Sequence, residues 1–320
     1  MRKFLALAVL IALCLGAAGC TSQRPVSEGE GIDIVTTVFP AYDFARQIAG
    51  ERARVTLLVP PGSESHSFEP TPQDVIRIES CALLFCNGGE SEVWLEQILE
   101  GRDKDIPKLS MLSCVSALEE ELTEGMQAVY EAREAEGDEG PEYDEHVWTS
   151  PVNARLICEQ LCEILCGIDP EGAEYYRANL SSYSAKLNAL DMAFRELVRN
   201  AGRDTLIFAD RFPVRYFVEE YGLKYYAAFP GCADDAEPSA RTVAFLIDKV
   251  RQESIPAVFY IEFSNEKMAD VICEDTGCEK LLFHSCHNVS ARELQDGVSY
   301  LELMQNNLVS LEEALGGWPF

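Results

Sequence analysis

Polar and apolar positions along the chain fall into short segments of two alternating kinds. Ile32 to Val38 alternates and is rich in β-branched side chains, as strands favour, and Tyr42 to Ala49 then takes the spacing of an amphipathic helix. Val55 to Val59 reads as a strand running into Pro60-Pro61-Gly62, and Pro72 to Ser80 reads as a helix. Ala82 to Cys86 is again strand-like, and the turn Asn87-Gly88-Gly89 leads into a helix from Val93 to Leu99. Strand and helix in strict alternation predict a parallel sheet covered by helices. The pattern restarts in the second half. Strands are expected at Leu206 to Ala209, Tyr225 to Phe229, Ala257 to Glu262 and Leu281 to Phe283, and helices at Val214 to Tyr221, Ala240 to Arg251, Lys267 to Asp275 and Tyr300 to Leu315.

Between the halves, Tyr176, Leu180, Tyr183, Leu187, Leu190, Phe194 and Leu197 recur in steps of four and three behind Asp169 and Pro170, a good cap and first-turn residue. That spacing describes one uninterrupted helix to about Asn200, roughly 45 Å long at 1.5 Å per residue. A rod of that length exceeds one lobe, so the expected fold is α/β, with two lobes, each a mostly parallel sheet covered by helices, joined by one long spanning helix. The expected divisions are an N-terminal lobe over 31–168, the linking helix over 169–201 and a C-terminal lobe over 202–320. Within the first lobe, Leu118 to Glu145 is dense in Asp and Glu and loses apolar periodicity after Tyr130, so its second half is expected to be a mobile acidic loop.

The start of the chain follows another logic. Arg2 and Lys3 precede an apolar run from Phe4 to Leu15, too short to span a bilayer, and small residues lead to Cys20. This resembles the signal and lipobox of bacterial lipoproteins, and implies a signal peptide over 1–20, a diacylated Cys20 that holds the chain at the extracytoplasmic face of the cell membrane, and a tether over 21–30. A net charge of -28 argues against nucleic-acid partners, since phosphate binding needs clustered Lys and Arg, and it draws in cations. Of twelve cysteines, Cys158, Cys162 and Cys166 recur every fourth position and read as buried small hydrophobes. Cys232 and Cys286 both fall in loops and could pair as a disulfide.

Only four histidines occur, and none lies on an apolar helix face. His66 follows the end of a strand, His146 follows the acidic loop, and His284 and His287 follow the last strand. The carboxyl ends of strands line the ligand crevice of α/β sheets, and three of the four stand there. One such histidine alone is more often a surface or capping residue. Four converging imidazoles would make a transition-metal site, because magnesium and calcium prefer an all-oxygen shell.

Several motifs together sharpen this. Val35-Thr36-Thr37-Val38-Phe39-Pro40, Pro60-Pro61-Gly62 with His66-Ser67-Phe68-Glu69-Pro70, Asn87-Gly88-Gly89, and Asp144-Glu145-His146-Val147-Trp148 resemble the metal-binding receptors of ABC importers, in their zinc-type branch. The resemblance runs from about Ile32 to Leu315. It implies a monomeric extracytoplasmic receptor, not an enzyme, that captures Zn2+ between two lobes and delivers it to a cognate ABC permease. Carried over position by position, it makes His66 and His146 ligands. The third ligand position falls on Arg211, which has no lone pair to donate, so Asp210 is the candidate beside it. The fourth falls on His284 or His287, depending on which flanking element sets the alignment, and both could bind. Glu262 is expected to support the site rather than to ligate.

Three other readings remain. A manganese or iron receptor shares the fold, but manganese favours carboxylates over imidazoles. A zinc hydrolase would need an open coordination position and a general base, and neither HExxH nor GxSxG is present. A surface adhesin has no patch in the sequence to support it.

Overall fold

The computed structural model describes residues 31–64, 68–100, 106–126, 142–231 and 239–316. In the N-terminal lobe, β1 (Ile32–Thr36), β2 (Ala53–Leu57), β3 (Leu83–Cys86) and β4 (Lys108–Ser110) form a parallel sheet of order β2-β1-β3-β4. The helices α1 (Phe39–Ala49), α2 (Pro72–Ser80) and α3 (Val93–Leu99) connect these strands. Thr71 starts α2 with a reciprocal cap: its hydroxyl accepts from the Asp74 amide while the Asp74 carboxylate accepts from the Thr71 amide, and Pro72 supplies a first residue that needs no donor.

In the C-terminal lobe, β5 (Thr205–Phe212), β6 (Lys224–Pro230), β7 (Ala257–Tyr260) and β8 (Glu279–Leu282) are again parallel, in the order β6-β5-β7-β8. Helices α6 (Arg215–Tyr221), α7 (Ala240–Glu253), α8 (Lys267–Thr276), α9 (Ala291–Asp296) and α10 (Tyr300–Leu315) complete this half. Here α4 denotes Pro151–Ile168 and α5 Ala173–Asn200. The long helix is therefore present, with one refinement. Asp169 caps a single 3-10 turn, Pro170–Gly172, and the α-helix proper follows over 28 residues. Asp169 also ties α5 to the first lobe by accepting from the Arg52 guanidinium at 2.7 Å and the Tyr176 hydroxyl at 2.7 Å.

The strand β4 and helix α9 are short elements that periodicity did not suggest, at three and six residues. Of the three spaced cysteines, Cys158 and Cys162 are buried in the core and Cys166 is half-buried. The acidic segment is described at its two ends only, where Glu119 pairs antiparallel with Tyr143. Residues 127–141, the expected mobile part, lie outside the described residues, as do the signal, Cys20 and the tether.

Residues Ile32–Phe320 make one compact unit. A single apolar cluster runs through both lobes, joining Phe44 and Ile48 of α1, Trp148, the buried face of α5, and Phe208, Phe217, Phe283 and Tyr300 of the second lobe. Each sheet has a smaller cluster on its outer face, around Val258 and Leu246 in one lobe and Leu84 and Ile78 in the other. The lobes thus share an interior. Polar links follow the same route: the Tyr300 amide donates to the buried Asp43, the Tyr300 hydroxyl to the Trp148 carbonyl, and the Trp148 indole to the Ser285 carbonyl. Among the described residues no helix is long and apolar enough to cross a membrane.

Candidate metal site in the cleft

A small cavity of about 30 Å³ opens between the lobes, with room for little more than one ion or water. Its walls include Glu64 and His146 from the first lobe and Arg211, Glu262, Ser285 and His287 from the second. The rings of His146 and His287 meet edge to face with centres 5.1 Å apart, and Trp148 packs against both.

His146 is positioned by what precedes it. Its backbone amide donates to the Asp144 carboxylate at 2.8 Å, and its ring Nδ1 lies 3.2 Å from the same oxygen. An Nδ1 proton shared with Asp144 leaves Nε2 as the lone-pair donor, the arrangement by which carboxylates orient metal-binding imidazoles. Burial alone would lower the affinity of His146 for a proton, but Asp144, Glu145 and Glu120 outweigh it and hold the imidazole above its ordinary value. Glu145 in turn reaches back to the Asn87-Gly88-Gly89 turn, where it accepts from the Ser91 amide. A side chain at Gly89, which has φ 94, would strike that carboxylate, so the glycine is required for the close approach. Glu92 is buried beneath the same turn, and burial raises its carboxyl above the usual range despite hydrogen bonds from Thr37, Gly88 and Asn87.

The segment after β8 carries the other two described histidines. Cys286 sits at φ 63, in the left-handed region, and this turn separates their directions. His287 faces the cleft, with its amide on the Ser285 hydroxyl and its carbonyl accepting from the Phe39 amide. His284 does not line the cleft. Its Nδ1 accepts the Cys286 amide at 2.9 Å, its backbone is bracketed by the side-chain amide of Asn307 on α10, and its Nε2 has no hydrogen-bond partner among the described residues. Asp210 is also turned away, bonded to the amides of Arg211 and Ile261. Arg211 itself points into the cleft, where both its terminal nitrogens reach Glu64 Oε2 at 3.1 Å. Glu262 accepts from the Ser285 amide and hydroxyl, and so holds the histidine segment in place.

The structure therefore brings His146 and His287 together and does not bring His284 or Asp210 to them. His66 lies outside the described residues. Among the described residues no group of three or more His, Cys, Asp or Glu side chains is arranged to hold an ion. The sequence does not point to Glu64. Its one signal was its place two residues before His66 in the loop after a strand.

Two parallel-sheet lobes on a common spine, with a crevice where strand ends face one another, are the architecture of a receptor that holds its ligand between lobes. The chain belongs to the family "zinc-uptake complex component A, periplasmic", which it matches over residues 34–314. It is 28% identical to the high-affinity zinc uptake system protein ZnuA of Bacillus subtilis, over 98% of each chain. It is 30% identical to the zinc-binding lipoprotein AdcA of Streptococcus pneumoniae over 98% of this chain, but spans only 61% of that longer relative. The Zn(II)-bound ZnuA-like domain of the streptococcal protein superposes with a TM-score of 0.73 at 26% identity, covering 89% of this chain and 99% of that domain.

Proposed function

We propose that this protein is the extracytoplasmic receptor of a zinc importer, holding Zn2+ in the cleft with His66, His146 and His287 and passing it to an ABC permease. One observation carries the reading. At Zn–N distances of 2.0–2.1 Å and a tetrahedral angle, two imidazoles on one ion place their ring centres about 5.2 Å apart. The rings of His146 and His287 stand at 5.1 Å. His66 stands two positions after Glu64 in the sequence, and Glu64 forms the cleft wall. Asp210 and His284 then serve as supports, Asp210 for the β7 exit and His284 for the turn at Cys286. Lipid on Cys20 and a monomeric state complete the proposal.

A shell rich in imidazole favours zinc over manganese. Isothermal titration of the metal-free protein with each ion tests the choice, and tighter binding of Mn2+ would reject it. In the same experiment His146→Ala is expected to lose at least about a hundredfold in zinc affinity, since one of the imidazole ligands is gone.

A further inference from the structure

Far from the cleft, α8 ends at Gly277, whose φ of 78 reverses the chain into β8. The reversal brings Cys273, on the last turn of the helix, to Cys278, at the entrance to the strand, with their sulfurs 3.4 Å apart. A disulfide needs about 2.05 Å, and both side chains are half-exposed and already in sulfur contact. The start of the same helix is already tied to the strand, where Lys280 bridges Glu266 and Asp270. Cys278 also borders an open groove of about 660 Å³ with Ser254, Thr276 and Glu279, so a small reagent has access to it. Cys86, Cys158 and Cys286 differ: burial pushes their thiols well above the ordinary value and away from reactive thiolate.

We propose that Cys273 and Cys278 become an intramolecular disulfide once the chain is outside the cytoplasm, where such bonds persist. The oxidant is an organic disulfide, either a small molecule or the active-site disulfide of an oxidoreductase. Cys278, at the groove, attacks it as a thiolate, forming a mixed disulfide and releasing one thiol. Cys273 then loses its proton and displaces the second thiol, so that two protons and two electrons leave the protein and the oxidant ends as two thiols. Cys273 comes second because burial and the neighbouring Cys278 push its thiol up to about 12. The bond staples the C-terminal end of α8 to the first residue before β8. That is the strand end opposite the histidine segment, so metal affinity is unaffected.

The test is mass mapping of the full exported chain, isolated without reductant and alkylated at once. Both cysteines fall in one tryptic peptide, Met268 to Lys280. The expected peptide is lighter by two hydrogen atoms and takes up two alkyl groups only after reduction, and Cys273→Ser exposes Cys278 to immediate alkylation. Purified reduced protein in a glutathione redox buffer is expected to form the same peptide while its zinc titration stays unchanged. Two alkylated thiols before reduction, or a bond from either cysteine to a different one, would overturn the assignment whatever the cleft binds.

Discussion

The N-terminal lobe orders its strands β2-β1-β3-β4 and the C-terminal lobe β6-β5-β7-β8, the same arrangement built twice, and the two present different chemistry to the crevice. The first lobe offers an imidazole backed by buried acids, with Asp144 on the ring and Glu145 and Glu92 packed under the Asn-Gly-Gly turn. The second offers an imidazole on a turn held by Ser285 and Glu262, next to a guanidinium. Identical topology therefore fixes where side chains gather and leaves their charge open. One lobe is built to attract a cation. The other has placed a positive charge beside it and neutralised that charge with a carboxylate from across the cleft.

The sharpest test of this asymmetry lies within the second lobe. His287→Ala is expected to weaken zinc binding about a hundredfold or more, whereas His284→Ala leaves affinity within about threefold, because only His287 of the two lines the cleft. Equal losses in titration calorimetry would move the site off the geometry described here. In the first lobe, Asp144→Asn is expected to cost about tenfold to a hundredfold, the usual effect of removing the group that orients a ligating imidazole. The same carboxylates make the first lobe sensitive to acid. With His146 as a ligand, a proton would compete with the metal for it, and because its proton affinity is raised the affinity is expected to be full above that raised value and to fall as pH drops through it. Titrations at pH 7.5 and 5.5 that returned one constant would contradict imidazole ligation. Smaller still is the effect of Arg211→Met, which removes a cation from the wall and is expected to raise affinity a few-fold at low salt, an increase that fades as ionic strength screens it. Last, Asp169→Ala should cost about 1–2 kcal/mol of stability through the lost cap and hydrogen bonds, read by chemical denaturation, with zinc binding unchanged.

Much of this fold is written in local pattern. The spans Pro72–Ser80 and Tyr300–Leu315 begin with capping boxes that mark their starts in sequence, and Val93–Leu99 follows a glycine turn that marks its start. The strand Lys108–Ser110 is too short to show alternation, and only its pairing with β3 defines it. The site was legible in part for the same reason. His146 and His287 stand where strand ends and the family motifs place them. The choice between His284 and His287 was open because both flank one turn, and the deciding fact, a left-handed Cys286, has no signature in a residue other than glycine. Asp210 looked available beside Arg211, yet a backbone amide from the neighbouring strand exit claims it, a long-range contact that sequence separation hides. Glu64 has no signature in sequence because its partner lies 147 residues away.

The continuous interior described above also bears on how the molecule can be taken apart. Phe44, Trp148, Phe194, Phe283 and Tyr300 belong to one packed body, so cutting the gene between the halves would bare an oily surface on each fragment. Neither half is a transplantable module, and heating the intact protein should give a single calorimetric peak.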